Sequence, residues 1–342
     1  MIRVLVVDDS AYVRKTLGAI LGETGDIEVV GYAGDGQEAL EQVRRLQPDV
    51  VTVDLEMPVL DGVGFIDRQM RKAPLPIVVV SSVDPTGELA GASMRAGAAE
   101  FVLKPTRLAN SRLLEIGRDL VEKIRLVAEI PPERLTLDAQ EGGRLPLYEA
   151  FRPAAVVVGL STGGPQLLHA FLPRVPKTFP LPIAVVIHMP VGFTGPLAER
   201  LDATSKIEVL EAEMGMEMRP GRCVIARAGQ HLRMRSFRGK VLCDLSLQPA
   251  ELAYRPSVDV LFESASQCYG SHLLGLVLTG MGHEGRGGAA WVKAAGGRVY
   301  TQTEDSSVVW GMPRAVKESG LSDGEVSPSD IVPLLLGLTG HG

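Results

Sequence analysis

Short apolar runs alternate with amphipathic segments along most of the chain. In the first third the runs are Ile2–Val7, Ile27–Val30, Val50–Val53, Ile77–Val80 and Phe101–Leu103. Runs this continuous predict strands buried on both faces, hence a parallel sheet with helical crossovers. Between them, Ala39, Leu40, Val43 and Leu46 recur at helical spacing. Strands and helices alternating in this way predict a doubly wound, flavodoxin-like α/β unit. The regularity breaks from about Glu129 to Phe151, where Pro131-Pro132, Gly142-Gly143 and Pro146 stand among charged residues. That stretch predicts a linker with a short helix near its start. A second series then follows: Ala154–Val158, Ile183–Ile187, Arg222–Ala226, Leu273–Leu278 and Arg298–Tyr300. It predicts a Rossmann-like α/β domain. Residues Gly229 to Leu245 instead alternate as an antiparallel hairpin turning at Arg238-Gly239-Lys240. The predicted division is 1–125, a linker over 126–151, and a second domain over 152–338.

Composition narrows the function. The 342 residues are 45% hydrophobic and 22% charged, enough for two packed cores and unlike a disordered chain. A formal net charge of −6 argues against a nucleic-acid partner, which needs clustered cations. The cysteines, Cys223, Cys243 and Cys268, lie far apart and match no zinc spacing, so buried reduced thiols are expected. No apolar stretch approaches the ~20 residues that span a bilayer, so no membrane insertion is expected. The opening residues run straight into a strand without a leader's charged region, which points to a cytoplasmic protein.

Chemistry-bearing residues gather at the ends of the predicted strands. Asp8 and Asp9 follow the first strand, Asp54 the third, Ser81 the fourth and Lys104 the fifth. In a parallel sheet these meet at the carboxyl edge, where such folds bind ligands. Three converging carboxylates repel one another unless a hard cation neutralises them, and Mg²⁺ with its oxygen ligands meets that need. Lys104 adds a point charge suited to phosphate, and Ser81, with Ser82 as its neighbouring alternative, a hydroxyl. Asp and Ser also sit at loop ends as helix caps. That accounts for any one of them but poorly for five groups on four strands.

In the second domain, the strand Ala154–Val158 runs into Gly159-Leu160-Ser161-Thr162-Gly163-Gly164-Pro165 and then an apolar helical stretch. A G-x-S-x-G turn between strand and helix can lift a serine hydroxyl clear of the sheet beside amides suited to an oxyanion. A glycine-rich turn can equally cradle phosphate, but neither nucleotide-binding glycine signature occurs. The serine needs a base. His188 ends the strand Ile183–Ile187, and His283 lies in Leu278-Thr279-Gly280-Met281-Gly282-His283-Glu284-Gly285, which again leaves a strand's carboxyl end. Spacing alone does not choose between them. His169 lies too far along a helix, His231 and His272 lie near no evident site, and His341 is in the tail.

Two resemblances bear on these choices. Val7-Asp8-Asp9-Ser10, Asp54-Leu55-Glu56-Met57-Pro58, Asp61-Gly62, Ser81 and Lys104-Pro105 resemble the response-regulator receiver family. That implies phosphorylation of Asp54, Mg²⁺ held with Asp8 and Asp9, Ser81 and Lys104 reading the phosphoryl group, and a cis Lys104–Pro105 peptide. The segments around Ser161, His188-Met189-Pro190-x-Gly192-Phe193-Thr194, Arg255-Pro256-Ser257-Val258-Asp259 and Leu278–Gly282 resemble the CheB protein-glutamate methylesterase family. That resemblance implies Ser161 as nucleophile, His188 as base and position 284 as orienting acid. It also implies an oxyanion and substrate surface with Thr162, Met281 and Arg255, for which a surface salt bridge is an equally ordinary role. The order serine, histidine, acid differs from that of α/β-hydrolases.

The implied protein is a two-component chemotaxis hydrolase that demethylates glutamate methyl esters and deamidates glutamines. Its partners would be methyl-accepting chemoreceptors as substrate and the pathway's histidine kinase as phosphodonor. No cofactor is expected for the esterase reaction. The unphosphorylated receiver is expected to cover the esterase cleft and phosphorylation to loosen it. One position departs from the family, which carries Asn-Asp-Gly where this chain has His283-Glu284-Gly285. The extra methylene of Glu284 is expected to displace the carboxylate unless the loop adjusts, slowing the reaction. The competing reading is a receptor-binding scaffold silenced by that substitution.

Overall fold

The computed structural model describes residues 1–82, 88–104, 110–135 and 151–339, with only the backbone given for 88, 110–115 and 133. The chain forms two compact units, 1–136 and 137–342.

The first unit alternates strand and helix throughout. In chain order it comprises β1 (Ile2–Val7), α1 (Ala11–Gly22), β2 (Ile27–Ala33), α2 (Gly36–Leu46), β3 (Val50–Val53) and α3 (Gly62–Lys72). It continues with β4 (Ile77–Ser81), α4 (Glu88–Arg95), β5 (Glu100–Leu103) and α5 (Asn110–Ala128). The strands pair in parallel in the order β2-β1-β3-β4-β5. All five predicted strands are present, because runs such as Val50–Val53 and Ile77–Val80 are buried along their whole length. A short 3₁₀ turn, Pro132–Leu135, follows α5. The rest of the expected linker to Ala150 lies outside the described residues, as do the Lys104–Pro105 peptide and His341.

The Asp61-Gly62 pair has a physical reason. Asp61 caps α3, accepting the Gly64 amide on Oδ1 at 2.7 Å. Gly62 lies so close to β3 that an added Cβ would stand 2.1 Å from the Asp54 carbonyl oxygen. Only glycine lets the helix start against the backbone that carries Asp54.

The second unit opens with β6 (Ala155–Leu160), α6 (Gly164–Phe171), β7 (Ile183–Ile187), α7 (Thr194–Thr204), β8 (Glu208–Glu211) and β9 (Arg222–Ile225). The hairpin β10 (His231–Phe237) and β11 (Lys240–Ser246) follows, with Phe237 opposite Lys240 at the predicted turn. Then come α8 (Val258–Tyr269), β12 (Leu273–Val277), α9 (Arg286–Ala294), β13 (Arg298–Gln302), α10 (Met312–Glu318), β14 (Gly324–Val326) and α11 (Ile331–Thr339). The main sheet is parallel in the order β14-β13-β12-β6-β7-β9-β8. Alternate residues of β6 enter different cores. Val156, Val158 and Leu160 join one, and Ala155 and Val157 the other. Helices therefore cover both faces, as the unbroken apolar runs require.

Two edge strands escaped the sequence pattern. β8 reads Glu-Val-Leu-Glu and β14 reads Gly-Glu-Val. Edge strands this short carry too few apolar residues for a buried-strand signature.

Substituting Gly62→Ala should cost the first unit about 2 kcal/mol, because the methyl can be admitted only by moving backbone. Urea unfolding of that unit measures it, and a loss below about 0.5 kcal/mol would show that the loop yields freely.

Candidate active site

Each parallel sheet reverses its strand order once, between β1 and β3 in the first unit and between β6 and β12 in the second. Connections leave in opposite directions at such a point and open a crevice at the carboxyl ends of the strands. Both predicted clusters lie there.

In the first unit, Asp8 and Asp54 are buried and Asp9 is exposed. A carboxylate oxygen from each comes within 4.8 Å of the others, close enough for one cation to bridge. Lys104 Nζ donates to Asp8 Oδ2 at 2.5 Å and also to Asp54 Oδ2. Ser81 Oγ donates to Asp54 Oδ1 at 2.6 Å, and the Leu55 amide donates to the same oxygen at 2.7 Å. Ser82 is exposed, so of the two serines the structure brings Ser81 to the cluster. Burial raises the Asp8 carboxyl above its ordinary range, against the opposing pull of Lys104.

In the second unit, Ser161 follows β6 in the turn that starts α6, and His188 follows the paired strand β7. The register matches Leu160 with Ile187, and the His188 amide donates to the Leu160 carbonyl at 3.3 Å. Two glycines hold the serine turn. Gly163 has φ +78°, and a Cβ on Gly159 would come 2.3 Å from Val258.

The acid is in reach. His188 Nε2 and Glu284 Oε2 lie 2.6 Å apart, with side chains only 9% and 14% exposed. A carboxylate only accepts, so Nε2 carries the hydrogen and Nδ1 keeps its lone pair. Nδ1 is buried and makes no hydrogen bond among the described residues. Glu284 Oε2 also accepts the Val258 amide at 3.2 Å. Glu284 thus reaches the imidazole despite its extra methylene, and His283, the rival of His188 as base, is exposed.

This geometry meets an independent likeness. Residues 156–335 match the CheB methylesterase family, and residues 4–116 match the response regulator receiver domain. The chain belongs to the CheB methylesterase family. A protein-glutamate methylesterase/protein-glutamine glutaminase of Myxococcus xanthus is 49% identical over 98% of this chain and 97% of its own length. A Thermotoga maritima protein of that name is 41% identical, covering 94% of each chain. The crystal structure of the Thermotoga maritima CheB methylesterase catalytic domain superposes with a TM-score of 0.53 at 42% identity. It covers 54% of this chain and 98% of that one.

One segment at this CheB-type site carried no clear signal in the sequence. Val308–Met312 packs against the serine turn and the loop after β12. Val308 fills the space beside Gly163, and the Gly311 and Met312 amides donate to the Gly280 carbonyl at 3.0 and 2.8 Å. Thr279 Oγ1 donates to the Thr162 carbonyl at 2.8 Å and accepts the Val309 amide at 3.0 Å. A Cβ on Gly280 would stand 2.9 Å from Ser161 Cβ, so the segment after β12 that leads to Met281 packs directly against the serine. Arg255 donates from Nη2 to the Ala250 carbonyl at 2.9 Å, and its buried Nε makes no hydrogen bond among the described residues.

His231 is not the remote residue its place in the hairpin suggested. It is fully buried, its Nε2 donates to the Pro249 carbonyl at 3.0 Å, and its Nδ1 accepts the Ser257 amide at 3.2 Å. Burial holds its imidazole below the usual range, consistent with a neutral clamp.

Asp259 fixes the loop that carries the acid. Its Oδ1 accepts the Gly285 and Gly288 amides at 2.9 and 2.7 Å, capping α9 from a neighbouring helix. Burial raises this carboxyl, opposed by those amides. Replacing Asp259 by Ala orphans both donors and should cost about 2 kcal/mol. Asn, which keeps an acceptor oxygen, should restore part of it. Chemical unfolding of the second unit measures both, and equal stability of Ala and wild type would remove Asp259 from this role.

Proposed function

We propose that this chain is a phosphorylation-regulated hydrolase of chemotaxis signalling that demethylates glutamate methyl esters, and deamidates glutamines, on chemoreceptors. The observation that carries the reading is the His188–Glu284 pair at 2.6 Å, which leaves the buried Nδ1 without a partner among the described residues, just after the strand paired with the one before Ser161. The relatives' names supply the substrate class.

The reaction is an acyl transfer in two halves. His188 Nδ1 takes the proton of Ser161 Oγ as that oxygen attacks the γ-carbonyl carbon of the ester. Glu284 keeps the second ring hydrogen on Nε2 and stabilises the imidazolium that forms. The carbonyl oxygen becomes an oxyanion, for which the Met281 amide is the assigned donor, with Thr162 assigned to the same surface. The tetrahedral intermediate collapses, and methoxide leaves with the proton from His188 as methanol. Water then enters, gives its proton to His188 and attacks the glutamyl ester. Collapse returns the proton to Ser161 and releases the glutamate carboxylate. A glutamine amide follows the same course and releases ammonia. Arg255 is assigned to the substrate surface.

In the first unit, Asp54 is the assigned phosphoacceptor. Asp8, Asp9 and Asp54 would hold Mg²⁺, which neutralises the charge on the incoming phosphoryl group. Their oxygens are spaced for it, and the carboxylates of Asp8 and Asp54 share the ammonium of Lys104. Ser81 and Lys104 lie on the Asp54 carboxylate and so would sense its phosphorylation. The phosphodonor would be the pathway's histidine kinase, and the protein would act in the cytoplasm.

The decisive measurement is methanol release from methylated receptor, with and without a small-molecule phosphodonor. Release should rise with the phosphodonor, stay at the basal rate in Asp54→Asn, and vanish in Ser161→Ala. Absence of release from the wild-type chain under both conditions would favour the scaffold reading.

Replacing Glu284 by Gln presents an amide to Nε2 and should move the ring hydrogen to Nδ1, lowering kcat by on the order of 10³–10⁴. Glu284→Asp should lower the rate as well, because shortening the side chain by ~1.5 Å breaks a contact already formed at 2.6 Å. An Asp variant faster than wild type would show that Glu284 is the handicap its length first suggested.

A further inference from the structure

One aromatic contact at the site has no part in the reaction as written. The ring of Tyr254 lies flat against the imidazole of His188, with centroids 4.3 Å apart and planes 8° from parallel. We propose that Tyr254 is a positioning residue that fixes the plane of the His188 imidazole and stabilises its cation during each proton transfer. The inference rests on the serine-hydrolase reading above.

The argument starts from what Glu284 leaves undone. A single hydrogen bond at Nε2 fixes one atom of the ring, while the torsion that turns an imidazole is broad and soft. A flat aromatic neighbour removes that freedom on one face. The same face carries the negative pole of the aromatic quadrupole, so it attracts the ring more strongly once the ring is protonated. Since His188 is charged only in the steps that form and break the tetrahedral intermediates, this attraction favours the transition state over the resting enzyme.

The segment that presents Tyr254 is itself held firm. His231 clamps both of its ends, through the Pro249 carbonyl and the Ser257 amide. Arg255 closes on the Ala250 carbonyl, and the Gly229 amide donates to the Arg255 carbonyl at 2.9 Å. The buried histidine that the reaction does not use thus supports the face of the one that it does. Among the described residues, Glu284 pairs with His188; Arg255, Glu284 and Arg233 act on His231; and Glu284 and His283 act on Asp259. Changing Tyr254 to an uncharged residue alters none of them.

Tyr254 is 38% exposed, so a substrate contact is the rival role, and the test separates the two. In the full chain, Tyr254→Leu keeps an apolar cover but removes the quadrupole, and Tyr254→Phe keeps the ring. The Leu variant should lose about 2- to 5-fold in kcat for methanol release with KM little changed. It should lose the same factor in the rate at which a small activated aryl ester acylates Ser161, while Phe keeps wild-type values in both. The His188 ring protons should be shifted upfield by the tyrosine in wild type and Phe, and move downfield in Leu. A Leu variant acylated at the wild-type rate overturns the proposal, as does a Phe variant as slow as Leu or an effect confined to KM. Failure of wild type to release methanol would count against the receptor-ester reading alone, and the acylation comparison would still decide Tyr254. Failure of the aryl ester to acylate wild type overturns both.

Discussion

Strand order is the constraint on which both sites depend. A parallel sheet with right-handed crossovers must cover its faces with helices, and it opens at its edge only where successive connections part. This chain does so twice, between β1 and β3 and between β6 and β12. The first opening collects Asp8 and Asp54, and the second collects Ser161 and the loop that carries Glu284. The central strands are largely apolar, and their work is to deliver polar residues to one edge at a spacing the sheet dictates. Glycine then decides how closely the following segments approach, at Gly62 against Asp54 and at Gly280 against Ser161.

The two openings treat buried carboxylate in opposite ways. In the first, Asp8 and Asp54 converge and share one ammonium, that of Lys104, so negative charge exceeds positive. An excess of this kind is costly out of water unless a further cation enters, and it leaves the site sensitive to any added charge. In the second, Glu284 and Asp259 are kept apart by assigning each its own donors. Glu284 takes the His188 ring and the Val258 amide, and Asp259 takes two amides of the α9 turn. That arrangement is already satisfied, which suits a group that orients a base rather than one that receives a ligand.

Much of this was legible in the order of residues. Strands buried on both faces declare themselves as unbroken apolar runs, and a residue directly after such a run is placed with little freedom. That is why Asp8, Asp54, Ser161 and His188 could be placed at the carboxyl ends of their strands in advance. The sequence was silent where position depends on loops meeting from distant parts of the chain. Tyr254 meets His188 across 66 positions, and Val308 reaches the serine turn from a segment with no motif. His231 looked peripheral because a hairpin hides which of its ends returns to the sheet. The strands β8 and β14 were missed because edges need little apolar surface.

Glu284 shows the same limit most sharply. Judged by side-chain length, glutamate where the family has aspartate should overshoot the imidazole, since a methylene adds more than a hydrogen bond tolerates. The judgement assumes a backbone held in the place that suits aspartate. What fixes that backbone is Asp259, through the amides of Gly285 and Gly288, together with the positive φ of 90° at Gly285. The loop's position is set from α8 rather than from the imidazole, and the carboxylate, which also caps the Val258 amide of α8, has two partners to bridge. The glutamate side chain meets both. Side-chain geometry alone cannot rank the two acids, because the anchor that sets their starting point lies 25 residues earlier in the chain.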